Sequence, residues 1–170
     1  AHTGTGKTAA FGIPMLEHIT NGGGIQGLVI APTRELAIQI TNELKKIGKF
    51  TKIKIATVYG GQGIGIQLDA LRKKPEIIVA TPGRLIDHLN QGTIRTDDIK
   101  YVVLDEADVM LDMGFIEDIE YVLERVPEAG SSIFKLYDLV GRALNRLLDR
   151  RILLEPQAFQ LVPKTARGGF

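Results

Sequence analysis

The sequence predicts an α/β domain in which a parallel β-sheet is flanked by helices. Short, almost continuously apolar runs alternate with longer segments whose apolar residues recur at helical spacing. Strands that are covered on both faces have that composition, and the strand–helix–strand order requires right-handed crossovers. Ligands of such sheets bind beyond the carboxyl ends of the strands, so functional residues are expected directly after each strand.

The alternation places four strands and four helices before about residue 125. The predicted strands are the apolar runs 27–31, 55–59, 77–80 and 101–104. The helices are predicted by apolar residues at helical spacing, namely Phe11, Ile13, Met15, Leu16 and Ile19; Leu36, Ile40, Leu44 and Ile47; Ile66, Leu68 and Leu71; and Leu85, Ile86 and Leu89.

The last quarter of the chain differs in charge. Residues 1–128 carry a net charge of −3 and residues 129–170 a net charge of +4. We therefore divide the chain into a partial domain over 1–128 and a divergent basic segment over 129–170. Within that segment, residues 131–154 predict one amphipathic helix. Its basic face is expected to be a solvated surface of a packing helix, rather than a surface for nucleic acid or a partner.

Length and composition exclude several classes of protein. With 170 residues and a mass of 18.6 kDa, the chain is long enough for about one domain. It has no cysteine, which excludes a disulfide scaffold and thiolate metal sites, and no apolar run of the roughly 18 residues that span a bilayer. A cytoplasmic location without a membrane partner is expected. The histidines His2, His18 and His88 are expected at the surface or at helix ends, because they form no ligand pair.

The first motif is Thr3-Gly4-Thr5-Gly6-Lys7-Thr8, directly before an apolar-periodic segment. Glycines let backbone N–H groups point at phosphate oxygens, and a helix N-terminus adds the positive end of its dipole. Lys7 would contact the β- and γ-phosphates of a nucleotide, and the Thr8 hydroxyl would bind Mg²⁺. The strict pattern begins with glycine, whereas this chain has Ala1 there.

The second motif is Asp105-Glu106-Ala107-Asp108 at the end of a buried strand. The Asp105 carboxylate is suited to binding Mg²⁺ through a water molecule, and Glu106 is placed to orient or deprotonate an attacking water. An acidic cluster at a helix N-terminus is the alternative for these carboxylates taken alone. Together with the glycine-rich loop, they predict the two halves of one metal–nucleotide site.

These residues and three further segments resemble the DEAD-box ATP-dependent RNA helicases. In one-letter code, Asp105 to Asp108 read D-E-A-D, the motif that gives the family its name, and the similarity continues to Phe115. The three other segments follow the first three predicted strands in the order of the family, as Ala31-Pro32-Thr33-Arg34-Glu35-Leu36-Ala37 with Gln39, as Gly60-Gly61, and as Thr81-Pro82-Gly83-Arg84.

The resemblance implies the first RecA-like domain of such a helicase, with ATP and Mg²⁺ as cofactors. Lys7, Asp105 and Glu106 would be catalytic, the motif from Thr3 to Thr8 would bind ATP, and Thr8 and Asp105 would hold the metal. The family also implies a strip that grips the backbone of single-stranded RNA without reading its sequence. The residues of that strip would be Pro32, Thr33, Arg34, Gly60, Gly61, Thr81, Pro82, Gly83 and Arg84.

Simpler explanations exist for parts of this strip. Arg34 and Arg84 could form ion pairs inside the domain, for example with Glu35 or Asp87, and these pairs could coexist with RNA binding. The glycines could form ordinary turns.

The chain also departs from the family. It contains no Ser-Ala-Thr, and neither the adenine-reading segment nor a second RecA-like domain with its arginine finger is present in the 170 residues. We therefore expect a fragment that is inactive alone, whose partner would be a second helicase domain or another protein. The alternative is a catalytically inactive module that binds nucleotide or RNA.

Overall fold

The computed structural model describes residues 5–127 and, through its backbone, residues 132–135. Its six helices are α1 (Thr5–His18), α2 (Arg34–Ile47), α3 (Ile64–Arg72), α4 (Pro82–Asn90), α5 (Ala107–Asp112) and α6 (Ile116–Leu123). Its five strands are β1 (Gly27–Ile30), β2 (Ile55–Val58), β3 (Ile77–Ala80), β4 (Tyr101–Leu104) and β5 (Ser132–Lys135). Within these residues, no helix is both long enough and apolar enough to cross a bilayer.

The strands form one parallel sheet in the order β2-β3-β1-β4-β5. Strands β1, β3 and β4 are buried almost throughout, as expected for a sheet covered on both faces. Their β-branched and aliphatic residues pack into two cores, one against each face. Helices α1 and α2 cover one face, and α3, α4, α5 and α6 contribute to the core on the other.

Two helices that follow strands begin with clear local signals. At the start of α2, the Thr33 side-chain oxygen accepts a hydrogen bond of 3.2 Å from the Leu36 backbone N–H, which caps the helix. Pro82 is the first residue of α4. Its lack of a backbone N–H costs nothing there, because the first N–H of a helix has no intrahelical acceptor. Both helices therefore start immediately beyond the carboxyl ends of their strands.

The predicted α/β class, the four strands and the four helices are confirmed. Each strand prediction matches an observed strand to within one residue. Helices α5 and α6, which are only six and eight residues long, were not predicted from the sequence. The predicted helix 131–154 is wrong at its start, because residues 132–135 form β5 beside β4. Its remaining residues lie outside those that the structure describes.

At the amino ends of the strands, buried polar groups are satisfied by the protein itself. The Glu76 carboxylate, 1% exposed, accepts hydrogen bonds from the backbone N–H groups of Gly22 (2.9 Å) and Lys54 (2.7 Å) and from the Asn21 side chain (3.2 Å). Gln26, also 1% exposed, donates to the Thr20 carbonyl at 2.7 Å. These side chains close the amino edge of the sheet.

Candidate functional site

The residues predicted to be functional gather at the carboxyl edge of the sheet. In the strand register, Ile30 of β1 lies opposite Ala80 of β3 and Leu104 of β4, and Val58 of β2 lies opposite Ala80. The four strands therefore end at one level. The segments that follow them stand side by side in the spatial order Gly60-Gly61, Thr81–Arg84, Pro32–Arg34 and Asp105-Glu106.

A cleft at this edge brings together residues from both predicted halves of the nucleotide site. Lys7 and Thr8 from α1 line it with Asp105 and Glu106 from the end of β4. Helix α2 supplies the rest of the lining with Leu36, Gln39 and Ile40. The sequence analysis had placed Gln39 in a motif but had not assigned it to the site.

Helix α1 positions the lysine and the threonine. It begins at Thr5, so Gly6, Lys7 and Thr8 lie in its first turn, where backbone N–H groups have no intrahelical acceptor. Thr8 is only 4% exposed, whereas the Lys7 side chain is exposed. Thr3 and Gly4 lie outside the described residues, and Thr5 is described only by its backbone.

Asp105 is a buried carboxylate at the end of β4. Its backbone N–H donates to the Ile30 carbonyl at 3.0 Å, which extends the sheet by one residue and fixes the side chain at the edge. Burial raises the pKa of its carboxyl above the ordinary value, and the Glu43 carboxylate adds to this increase. The Glu106 backbone N–H and the Lys7 ammonium oppose it. A cation in the cleft would therefore gain from neutralising Asp105.

Glu106 occupies an unusual backbone conformation. Its φ of 51° and ψ of 49° lie in the left-handed region, which is costly for a residue with a side chain. It precedes α5 as the N-cap residue, but its side chain makes no capping hydrogen bond. The helix-cap alternative therefore does not account for this carboxylate. Partial burial raises the pKa of Glu106, and the Asp105 and Asp108 carboxylates raise it further.

The oxygen donors at this site fit a Mg²⁺ ion that is held mainly by other ligands. Thr8 offers one hydroxyl and Asp105 one carboxylate, and both line the cleft. Within the described part of the chain there is no group of three or more His, Asp or Glu side chains that could hold a metal. Mg²⁺ commonly takes one or two protein oxygens and completes its shell with phosphates and water.

The two arginines of the predicted RNA strip form the ion pairs that the sequence analysis named as the simpler explanation. Arg34 lies 3.3 Å from Glu35, and its side chain is 55% exposed. Arg84 lies 3.4 Å from Asp87, is only 17% exposed, and donates to the Gln62 carbonyl at 3.0 Å. An exposed pair of this kind contributes little to stability, so the pairing of Arg34 leaves it available to a phosphate.

The glycines of the strip divide into two kinds. Gly61 has a φ of +86°, so the turn itself requires glycine there. Gly60 and Gly83 have ordinary φ values, and a Cβ added at either position would meet no atom within 4 Å. Neither the backbone nor the packing of this chain explains glycine at these two positions.

The two described histidines lie at helix ends, as expected. His18 is exposed in the last turn of α1, and its Nδ1 lies 2.7 Å from the Pro14 carbonyl oxygen. His88 lies in the last turn of α4, but its side chain is fully buried. It contacts Gln67, another buried polar residue that the sequence analysis did not identify. His2 lies outside the described residues.

A scan against protein-family models matches residues 1–136 to the DEAD/DEAH box helicase family. Among curated proteins, the DEAD-box ATP-dependent RNA helicase CshA of Bacillus cereus is 51% identical over 165 residues, and that of Bacillus subtilis is 50% identical. Both alignments cover 96% of this chain and therefore extend well past residue 128. The chain spans only 31% and 33% of these relatives' lengths.

Solved structures give the same result. A DEAD box protein from Methanococcus jannaschii superposes with a TM-score of 0.83 at 41% identity, over 90% of this chain and 42% of that one. The yeast DEAD-box splicing factor Prp28 gives a TM-score of 0.81 at 29% identity, over 89% of this chain and 38% of that one.

Proposed function

Because the chain belongs to the DEAD/DEAH box helicase family, we propose that it binds Mg²⁺-ATP and the backbone of single-stranded RNA at the carboxyl edge of its sheet. In a complete helicase, the domain would couple ATP hydrolysis to RNA unwinding. The main support for the proposal is that β1, β2, β3 and β4 all end at the same level of the sheet. The acidic motif after β4 and the three segments after β1, β2 and β3 therefore lie along one edge, and Lys7 and Thr8 line a cleft with Asp105 at that edge, which supports the proposal.

The cleft between α1 and β4 is the proposed nucleotide site. The backbone N–H groups in the first turn of α1 and the Lys7 ammonium are the proposed donors for phosphate oxygens. The Thr8 hydroxyl and the Asp105 carboxylate would hold the metal ion, which would supply charge neutralisation between phosphate groups.

Glu106 is the proposed group that orients or deprotonates the attacking water. Its carboxyl lines the same cleft as Lys7, and its pKa is raised by burial and by Asp105 and Asp108. A carboxylate with a raised pKa is a better proton acceptor at neutral pH than an ordinary one. The left-handed backbone at Glu106 and the missing capping hydrogen bond support a role other than capping α5.

The adjoining edge, from β1 through β3 to β2, is the proposed RNA strip. The N-termini of α2 and α4, together with Arg34 and Arg84, offer donors and positive charge to phosphate. Gly60 and Gly83 leave open space where a sugar-phosphate backbone could approach closely. None of these groups distinguishes one base from another, so binding should be independent of sequence.

Nucleotide binding is tested by calorimetry with Mg²⁺-ATP. We expect weak binding that is abolished in Lys7→Ala. Lys46→Ala is the matched control, because Lys46 lies in the last turn of α2 and does not line the cleft. Equal affinity of the wild type and Lys7→Ala would contradict the assignment of the phosphate site.

RNA binding is tested by titrating unrelated single-stranded RNAs at several salt concentrations. The logarithm of affinity should fall against log[salt] with a slope of about −0.7 per phosphate contacted, and Arg34→Ala should remove about one contact. Arg95→Ala is the matched control, since Arg95 also pairs with a neighbouring carboxylate, Asp97, but lies before β4. Affinities that differ strongly between sequences would contradict a backbone-gripping strip.

The complete activity is proposed to need more of the helicase than these 170 residues. In related classes, an arginine from outside the phosphate loop contributes roughly 10³ to 10⁵ in rate. No residue of this chain matches the family's finger. A strand-displacement assay should therefore show no unwinding by the 170-residue polypeptide, and clear unwinding would contradict this division of roles.

A further inference from the structure

Beneath the proposed RNA strip lies a chain of buried hydrogen bonds that the function described so far does not use. It begins at Gln67 in α3, a polar side chain that is fully buried. The Gln67 Nε2 donates to the Tyr59 carbonyl at 2.9 Å and to the Gln62 carbonyl at 3.4 Å. These carbonyls immediately flank Gly60-Gly61. One side-chain amide therefore joins both ends of the glycine turn.

The remaining oxygen of that amide connects the turn to α4. The Gln67 Oε1 lies 3.0 Å from the Nε2 of His88, which is also fully buried. A backbone carbonyl can only accept, so the amide nitrogen of Gln67 must face Tyr59 and its oxygen must face the imidazole. His88 therefore donates its Nε2–H to Gln67. This matching of donors and acceptors fixes both the orientation of the amide and the tautomer of the ring.

The other ring nitrogen is fixed as well. Nδ1 of His88 lies 2.7 Å from the Thr93 hydroxyl, just beyond the end of α4. Burial lowers the pKa of His88, as does the nearby Arg84 guanidinium, so the neutral ring is favoured at neutral pH. The Thr93 hydroxyl has one proton and two neighbouring acceptors, Nδ1 of His88 at 2.7 Å and the His88 carbonyl oxygen at 3.1 Å. Because the neutral ring carries its proton on Nε2 and Nδ1 is the nearer acceptor, Nδ1 accepts from Thr93 while Nε2 donates to Gln67, and the chain from α4 to the glycine turn is complete.

A second link runs parallel to the first. Arg84, in the first turn of α4, donates to the Gln62 carbonyl, so α4 reaches the turn from both of its ends. Gly60 and Gly61 themselves have no atom within 4 Å of where a side chain would begin. A backbone hydrogen bond from the Thr81 N–H to the Val58 carbonyl, 3.1 Å, joins the start of α4 to the end of β2 just before the turn. The hydrogen bonds of Gln67 and Arg84 extend this connection to the turn itself.

We propose that Gln67 and His88 are positioning residues for RNA, which hold the Gly60-Gly61 turn at a fixed distance from the N-terminus of α4 so that both can grip one phosphate backbone. This inference rests on the proposed RNA strip. Neither side chain needs to touch RNA, since both lie beneath its surface. The contribution is pre-organisation, because binding then requires no ordering of the turn.

The test compares two substitutions at His88. Leucine fills much of the ring's volume but cannot donate, whereas the amide nitrogen of glutamine can take the place of Nε2. Each variant of the full chain is assayed for single-stranded RNA affinity, Mg²⁺-ATP affinity, and hydrogen exchange over residues 59–66. Thermal unfolding verifies that each variant is folded.

We expect His88→Leu to weaken RNA binding by about threefold to tenfold, the effect of losing one buried hydrogen bond. Exchange over residues 59–66 should become faster, and ATP affinity should stay unchanged. His88→Gln should restore both the RNA affinity and the protection. Gln67→Met should resemble His88→Leu, and the double variant should lose little more than either single variant, because each breaks the same chain.

Three results would overturn the proposal. They are unchanged exchange over residues 59–66 in His88→Leu, faster exchange with unchanged RNA affinity, and an equal loss of RNA and ATP affinity. If the wild type bound no RNA, the proposed RNA strip would itself fail and the positioning role with it. Normal RNA binding in all variants, with Arg34→Ala still impaired, would instead leave the strip intact and remove only Gln67 and His88.

Discussion

The two edges of the sheet treat their buried carboxylates in opposite ways. At the amino edge, three donors from the protein satisfy the carboxylate of Glu76. At the carboxyl edge, burial raises the pKa values of Asp105 and Glu106, with only partial compensation from Lys7. One edge is thus completed by the chain itself. The other holds two carboxyl groups whose pKa values are raised, and we interpret this as the signature of a site for a cation.

Glycines show the same difference. A Cβ at Gly27, where β1 begins, would lie 2.9 Å from the Met15 sulfur and 3.1 Å from Ile19, so close packing requires glycine there. Gly60 and Gly83 at the other edge face open space. The amino edge is thus shaped by packing inside the domain, and we interpret the carboxyl edge as shaped for a ligand.

The largest expected effect is at the carboxyl edge. In a complete helicase carrying this domain, Glu106→Gln should leave ATP binding nearly intact and slow hydrolysis by about 100-fold or more, because the group that activates water is lost. Single-turnover ATPase assays measure this effect. Asp112→Asn is the control, since Asp112 ends α5 outside the cleft. Unchanged turnover in Glu106→Gln would remove this residue from the catalytic group.

Alanine substitutions at Gly27 and Gly83 should affect stability differently at the two edges. Gly27→Ala should lower the free energy of unfolding by about 1–3 kcal/mol, because its Cβ overpacks a filled core. Gly83→Ala, within α4, should be neutral or should stabilise by up to about 1 kcal/mol, because alanine favours helix. It should nevertheless weaken RNA binding. Urea denaturation and RNA titration of both variants provide the measurements, and equal destabilisation by the two alanines would refute the distinction.

A smaller effect is expected from pH. The pKa of His88 is lowered from its ordinary 6.5, so the unfolded chain binds more protons than the folded one as pH falls through that value. The stability that neutral His88 contributes is present above the unfolded pKa and is lost as pH falls toward the folded pKa. Between about pH 7.5 and 5.5, the wild type should therefore lose more stability than His88→Gln. Parallel curves from denaturation at each pH would contradict this expectation.

Much of the fold could be predicted because its signals are local. The strands of a covered parallel sheet are apolar throughout, and α2 carries both a regular apolar stripe and a threonine cap. In the sequence, Ile133 fits the apolar stripe of the predicted helix, while Ile133-Phe134 also fits the remnant of a strand that the resembled family has here. Pairing with β4 places both residues in a strand. A short apolar run fits both a helix and a strand, and only pairing with a neighbouring strand decides between the two.

The candidate site could be predicted where chemistry and chain order coincide. Asp105 and Glu106 follow a buried strand, and the carboxyl ends of parallel strands lie at one edge of a sheet. The position of these two residues at the same edge as Arg34 and Arg84 therefore follows from the order of strands and motifs along the chain. Gln67 and His88 could not be identified in this way. Their partners are backbone carbonyls, the Thr93 hydroxyl and each other, and such contacts leave no periodic signal in a sequence.

The central claim is tested most directly by neutralising one buried carboxylate at each edge and measuring the free energy of unfolding without nucleotide or Mg²⁺. Glu76→Gln should destabilise the domain by about 1–3 kcal/mol, because an amide N–H then faces a donor. Asp105→Asn should stabilise it at neutral pH, because burial opposes the charged form and the raised pKa signals that cost. Opposite signs are the predicted result. Destabilisation of similar size by both substitutions would show that the carboxyl edge is as complete without a ligand as the amino edge, and would contradict the account.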